Sequence, residues 1–246
     1  MFQIRKIYLF PLLICLFLCA NTVKLRANPI DSLKQVISNS LDDTNKVLSY
    51  LQLSRLYLAD EPDIALELAG KAKILSHSLK YYRGEGLSYR RIGSIHYSHN
   101  NFEQALDNYN KSIVFLKKIN AKEELSEVYN IIGIIHYYLA NYEKSLKSYL
   151  NSLHIHEELG NKMGMSSAYN NIGIIYNNQD NQQKALEYHF KSLGIDKEIG
   201  NKNGIATSYN NIGEIYRIQG KWDKALEYYM KSLKIKEEEK NIDGMS

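Results

Sequence analysis

The chain of 246 residues carries 31 basic and 27 acidic residues, but four of the basic ones, Arg5, Lys6, Lys24 and Arg26, fall within residues 1–27, where no acid occurs. The remainder is balanced at 27 against 27, which gives no electrostatic basis for binding nucleic acid or an anionic membrane. Three prolines and no alternating strand pattern point to an all-α chain, and Cys15 and Cys19 both lie in the apolar leader, which excludes disulfides and cysteine metal sites from the rest.

Residues 1–27 read as a secretory signal peptide, with Arg5 and Lys6 as the positive start and Ile7 to Leu18 as the apolar run. That run is shorter than the about 20 residues a membrane span needs. Cleavage is expected after Ala20 or Ala27, and a lipoprotein would need a small residue where Leu18 and Ile14 precede the cysteines. The expected location is therefore exported and extracytoplasmic. Residues 28–44 predict an N-terminal capping helix started by Pro29 and Asp31, with Leu33, Val36, Ile37 and Leu41 on one face.

From there the chain repeats itself. Glycines 93, 133, 173 and 213 recur at a constant forty residues, each inside a segment such as Tyr209-Asn210-Asn211-Ile212-Gly213-Glu214-Ile215-Tyr216. A fixed period of this size predicts stacked repeats. Residues 45–80 form a degraded first unit, in which Tyr50, Leu53, Ser54 and Tyr57 occupy the later Tyr, Ile, Gly and Tyr/His positions. Four regular units follow, at 81–120, 121–160, 161–200 and 201–240, and residues 241–246 restate 161–166 as the start of a truncated sixth repeat.

Each unit predicts two helices. In the last, helix A carries Tyr209, Ile212, Gly213 and Tyr216 on one side, and helix B carries Ala225, Leu226, Tyr229, Ser232 and Leu233 as a buried stripe. Gly220 is the expected left-handed residue between them, with Asn100, Asn141 and Asn181 at or beside the matching turns. Gly213 and Ala225 let the two helices approach closely, and stacking the next unit buries the face that one unit leaves wet.

These residues resemble the tetratricopeptide repeat over about residues 45 to 240. The usual unit is 34 residues, and the longer one here is similar to the extended variant of kinesin light chains, of Leu-Gly-Asn repeat adaptors and of peptide-sensing bacterial regulators. The resemblance implies a right-handed α-solenoid that binds a protein or extended peptide in its concave groove. With the leader, it also resembles the exported N-terminal regions of bacterial sensor proteins, where such an array precedes a membrane span and an output domain.

Thr207, Asn210, Glu214 and Arg217 lie opposite the packed side of helix A, and in this family that side lines the groove. Asn130, Asn170 and Asn210 form a ladder, with Arg90 at its first rung, that can donate to a peptide carbonyl and accept from a peptide N–H. Tyr97, Tyr137, Asn177 and Arg217 are further groove positions, with Ile134 and Ile174 beside them. With only Arg90 basic at the ladder position, the groove looks unlike the cationic clamp that other tetratricopeptide proteins use for a C-terminal carboxylate.

No catalytic site is expected. His154 and His156 diverge on a helix, His96 and His99 lack a third ligand, and no phosphate-cradling loop or nucleophile elbow occurs. The chain reads as a non-enzymatic scaffold with no metal or cofactor: the sensory part of a signalling protein or, alternatively, an architectural adaptor assembling a larger complex.

Overall fold

The computed structural model describes residues 29–243, so the expected signal peptide and the last three residues of the expected sixth unit lie outside the described residues. Among the described residues there are eleven α-helices and no strand. They are α1 (Pro29–Asn39), α2 (Thr44–Tyr57), α3 (Pro62–Ser78), α4 (Tyr82–Ser98), α5 (Phe102–Lys118), α6 (Lys122–Tyr138), α7 (Tyr142–Leu159), α8 (Lys162–Asn178), α9 (Gln182–Glu198), α10 (Lys202–Ile218) and α11 (Trp222–Asp243). The chain is an α-solenoid of helix–turn–helix repeats in which the even-numbered helices α2 to α10 are helices A, and each packs on the helix B that follows it.

From α3 to α10 every helix has 17 residues except α7, which has 18. The reversals between them share one geometry. Lys80, Asn100, Asn120, Ala140, Gly160, Asp180, Gly200 and Gly220 all have positive φ, between 51° and 70°, one every twenty residues. The next residue donates its N–H back to a carbonyl five positions earlier, as Asn141 does to His136 at 2.8 Å and Lys221 to Tyr216 at 2.9 Å. The left-handed residues of the two middle A–B turns are thus Ala140 and Asp180, with Asn141 and Asn181 standing beside them, one residue on. Both directly precede the next helix, where an acceptor side chain can cap: Asn181 Oδ1 accepts from Lys184 N at 3.2 Å, Asn161 and Asn201 cap α8 and α10 in the same way, and Asn141 makes no such bond.

Within a unit the helix A glycine faces a ring on helix B. A methyl group on Gly133 would lie 2.7 Å from Tyr149, and one on Gly173 2.8 Å from His189. A serine on helix B then ties back to a helix A carbonyl. Ser112 donates to Gly86 O, Ser152 to Ser126 O and Ser232 to Ala206 O, at 2.7, 2.9 and 2.7 Å. The apolar core runs along the stack rather than around a centre: Ala105, Tyr109 and Leu116 of α5 pack with Val128 and Ile132 of α6 and Ile155 of α7.

The two ends differ from expectation. Helix α1 stops at Asn39 and buries none of its residues, and Leu41, expected on its packed face, lies beyond its end and is 85% exposed. Asp43 competes for this stretch by capping α2, accepting from Lys46 N at 2.9 Å. At the other end α11 continues past residue 240 without the left-handed residue that closes helix B in the earlier units, so residues 241–243 extend α11 instead of opening a new helix.

Candidate functional site

The five helices A present a shared face. Their apolar side chains are turned to helix B, which leaves the residues one and two positions after the repeat tyrosine to meet their counterparts in the neighbouring unit. Asn171 Nδ2 donates to Asn130 Oδ1 at 3.2 Å, and Asn211 Nδ2 donates to Asn170 Oδ1 at 2.8 Å. The expected ladder of Asn130, Asn170 and Asn210 is therefore half engaged by the array: two of its carbonyl oxygens accept from the next unit, while their Nδ2 groups have no acceptor among the described residues. Asn170 Oδ1 also receives His189 Nδ1 at 3.1 Å. Burial pushes that imidazole down to about 4. Asn210 is exposed, and its side chain has no hydrogen bond among the described residues.

The other expected groove residues divide between packing and pairing. Tyr97 and Tyr137 are half-buried against the inter-unit core, Tyr97 with its ring 6.1 Å from Phe102 and Tyr137 6.1 Å from Tyr142. Asn177 keeps a buried Oδ1 with no donor. Arg217 is held by Glu214 at 2.6 Å, and this bond, with a second from Tyr229, brings the Glu214 carboxyl down to about 2. The polar C-terminal end of the face is thus locally neutralised.

At the N-terminal end, helices α2, α4 and α6 line a solvent-open cavity of about 530 Å³. Its lining includes Arg55, Arg90 and Arg91, with Glu127 opposite and Leu48, Leu51, Leu87 and Ile131 as apolar walls. Arg90 is paired with Glu127. Arg55 and Arg91 form no ion pair among the described residues, and Arg91 Nε is buried without an acceptor. Burial lowers both Arg90 and Arg91 from the ordinary guanidinium value, and Arg55 pushes them the same way. Of these, only Arg90 was picked out by the sequence pattern. Arg55 sits where later units have Ser94, Ile134, Ile174 and Glu214, and Arg91 sits beside the ladder. Basic residues at neighbouring repeat positions in consecutive units were the available signal.

Among the described residues, no group of three or more His, Cys, Asp or Glu side chains is placed to hold a metal, and no helix is long and apolar enough to cross a membrane.

The tetratricopeptide repeat family profile matches residues 124–198 and again residues 164–238. A comparison with curated proteins returned no match. Among solved structures the fold is similar to BtubC (BKLC) from P. vanneervenii, with a TM-score of 0.78 at 16% identity over 86% of this chain and 91% of that one. It is also similar to the nearly identical TPR-like repeats of a Podosopora anserina kinesin light chain, with a TM-score of 0.68 at 11% identity over 82% and 100% of the two chains. A third is a Signal Transduction ATPase with Numerous Domains protein with a tetratricopeptide repeat sensor from Pyrococcus horikoshii, at 0.68 and 19% identity over 90% of this chain and 37% of that one. The constant helix pairs, the glycine–aromatic contact in each regular unit and the profile match together identify residues 124–238 as tetratricopeptide repeats.

Proposed function

We propose that the face lined by helices A holds an extended peptide segment of a partner, and that the chain is the exported sensory region of a bacterial signalling protein. The tetratricopeptide scaffold supports a protein–protein interaction role, and such repeats are generally non-enzymatic. The observation that carries the peptide reading is the state of the ladder. Asn130 and Asn170 are held in place through their carbonyl oxygens, and each retains an unpartnered amide N–H pair, the donor that a peptide carbonyl needs whatever its side chains.

Support for the sensory context comes from the charged, apolar leader at residues 1–27 and from the similarity to a solved protein whose array is described as a sensor. A fusion of residues 1–27 to an alkaline phosphatase lacking its own leader tests export: a reporter that stays inactive in a bacterial host removes the exported reading. A full-length reading frame that encodes neither a membrane span nor an output domain removes the sensory one.

For the groove, decapeptides recovered from a random displayed library are measured against the chain and against the triple Asn130→Ala, Asn170→Ala, Asn210→Ala variant. Loss of affinity with retained helicity is the expected result. Unchanged affinity would show that the peptides bind elsewhere. If the triple variant unfolds, Asn210→Ala alone repeats the measurement, because its side chain carries no bond within the array.

A further inference from the structure

The cavity between α2, α4 and α6 is not explained by the packing of the repeats. Two guanidinium groups, Arg55 and Arg91, stand there beside a third, Arg90; Glu127, the one carboxylate in the lining, is paired with Arg90, and Glu124, which also acts on Arg90, is held by Arg83. Like charges this close oppose one another, and Arg91 Nε is withdrawn from water without any acceptor in return. A buried donor left unmade costs more than an exposed one, and a charge-assisted bond to an arriving anion recovers that cost. A negative group placed among these guanidinium groups supplies Arg91 Nε with the acceptor it lacks among the described residues.

We propose that Arg55, Arg90 and Arg91 seat the carboxylate of an acidic side chain, glutamate above aspartate, in the peptide that occupies the groove. This rests on the peptide-binding reading above and adds which residue the N-terminal end selects. The chemistry of the walls favours a carboxylate over a phosphate. Leu48, Leu51, Leu87 and Ile131 offer apolar surface to a methylene stem, which a glutamate has and a phosphate lacks. Glu127 faces the same space, and its negative charge repels a dianion more than a monoanion. Planar guanidinium forks bind carboxylate and phosphate alike in pairs of parallel bonds, so the preference rests on the apolar walls and on Glu127. The seat differs from a ladder position repeated in every unit: it is assembled once, from three repeat positions of α2 and α4, and so fixes the peptide's register where the asparagines fix only its backbone.

The test is a selection. A random decapeptide library displayed on phage is panned against the full chain and against the Arg55→Gln, Arg91→Gln double variant, and recovered peptides are measured by fluorescence anisotropy. The expected outcome is enrichment of Glu or Asp at one position, with about a tenfold loss when that residue becomes Gln or Asn. The double variant should show neither the enrichment nor the loss. Recovered peptides that depend on the asparagine ladder but show no acidic preference overturn this inference and leave the groove reading standing. Peptides that bind more tightly with phosphoserine in place of the acidic residue overturn the carboxylate assignment. If no recovered peptide depends on the ladder, the groove reading fails and this inference fails with it. Should the double variant lose helicity, Arg55→Gln alone, at an exposed residue, supplies the comparison.

Discussion

Asn211 reaches across 2.8 Å to the side-chain oxygen of Asn170, joining α10 to α8, while the equivalent bond one unit earlier runs from Asn171 to Asn130 at 3.2 Å. The three ladder positions are equivalent in sequence and unequal in structure. Asn170→Ala strands both Asn211 and His189 and should cost about 2 kcal/mol. Asn130→Ala strands only Asn171 and should cost about 1 kcal/mol. Asn210→Ala breaks no bond and should stay within about 0.5 kcal/mol of the parent. Urea unfolding of the three variants checks the order; equal losses would mean that the inter-unit bonds carry no weight.

Acid should weaken the array through His189. Its ring is buried, its Nδ1 meets an oxygen that can only accept, and burial holds it neutral by pushing it down to about 4, below the about 6.5 of an unfolded histidine. A depressed value means that the stabilisation is complete above about pH 6.5 and is lost as pH falls toward 4, by about 3 kcal/mol over that interval. The matching residues in the other regular units are Tyr109, Tyr149 and Tyr229. His189→Tyr should flatten this part of the stability–pH curve, measured by urea midpoints between pH 7 and pH 4. An identical slope in the variant would assign the acid sensitivity to other groups.

Two glycines should respond in opposite directions. A methyl group on Gly133 meets the buried Tyr149 ring at 2.7 Å, so Gly133→Ala should destabilise by about 1–3 kcal/mol. Gly194, inside α9, has no atom within 4 Å of that position, so Gly194→Ala should stabilise by about 1 kcal/mol through helix propensity alone. Thermal melts of the pair give the signs directly.

Ala140 holds a left-handed backbone, with φ 55°, at an exposed turn. Ala140→Gly should raise stability by about 1 kcal/mol, and Gly160→Ala, at φ 63°, should lower it by a similar amount. A drop in midpoint for Ala140→Gly would show that the turn is not strained.

These residues also show what the sequence could reveal. The helix pairs were legible because Gly93, Gly133, Gly173 and Gly213 recur in phase with the aromatic and alanine positions, so one chemical role is stated four times. The left-handed turns at Lys80 and Ala140 were not legible, because neither residue prefers that conformation; the docking of the two adjoining helices imposes it. The ladder was legible as a row of asparagines, but its bonds run diagonally, to Asn171 and Asn211, and periodicity within one helix says nothing about diagonals between two. The arginine cavity was hidden for a related reason. Arg55 and Arg91 occupy different repeat positions, and only the offset between successive helices A brings Arg55 beside Arg90 and Arg91.

The left-handed residue every twenty positions makes the outward and return rods equal in span. Adding a single rod would therefore keep every bend intact, yet it would turn each later asparagine row to the outer wall. Only growth by two rods at a time preserves an uninterrupted inner surface. Such a molecule lengthens in discrete steps, and every step adds one more row to that surface.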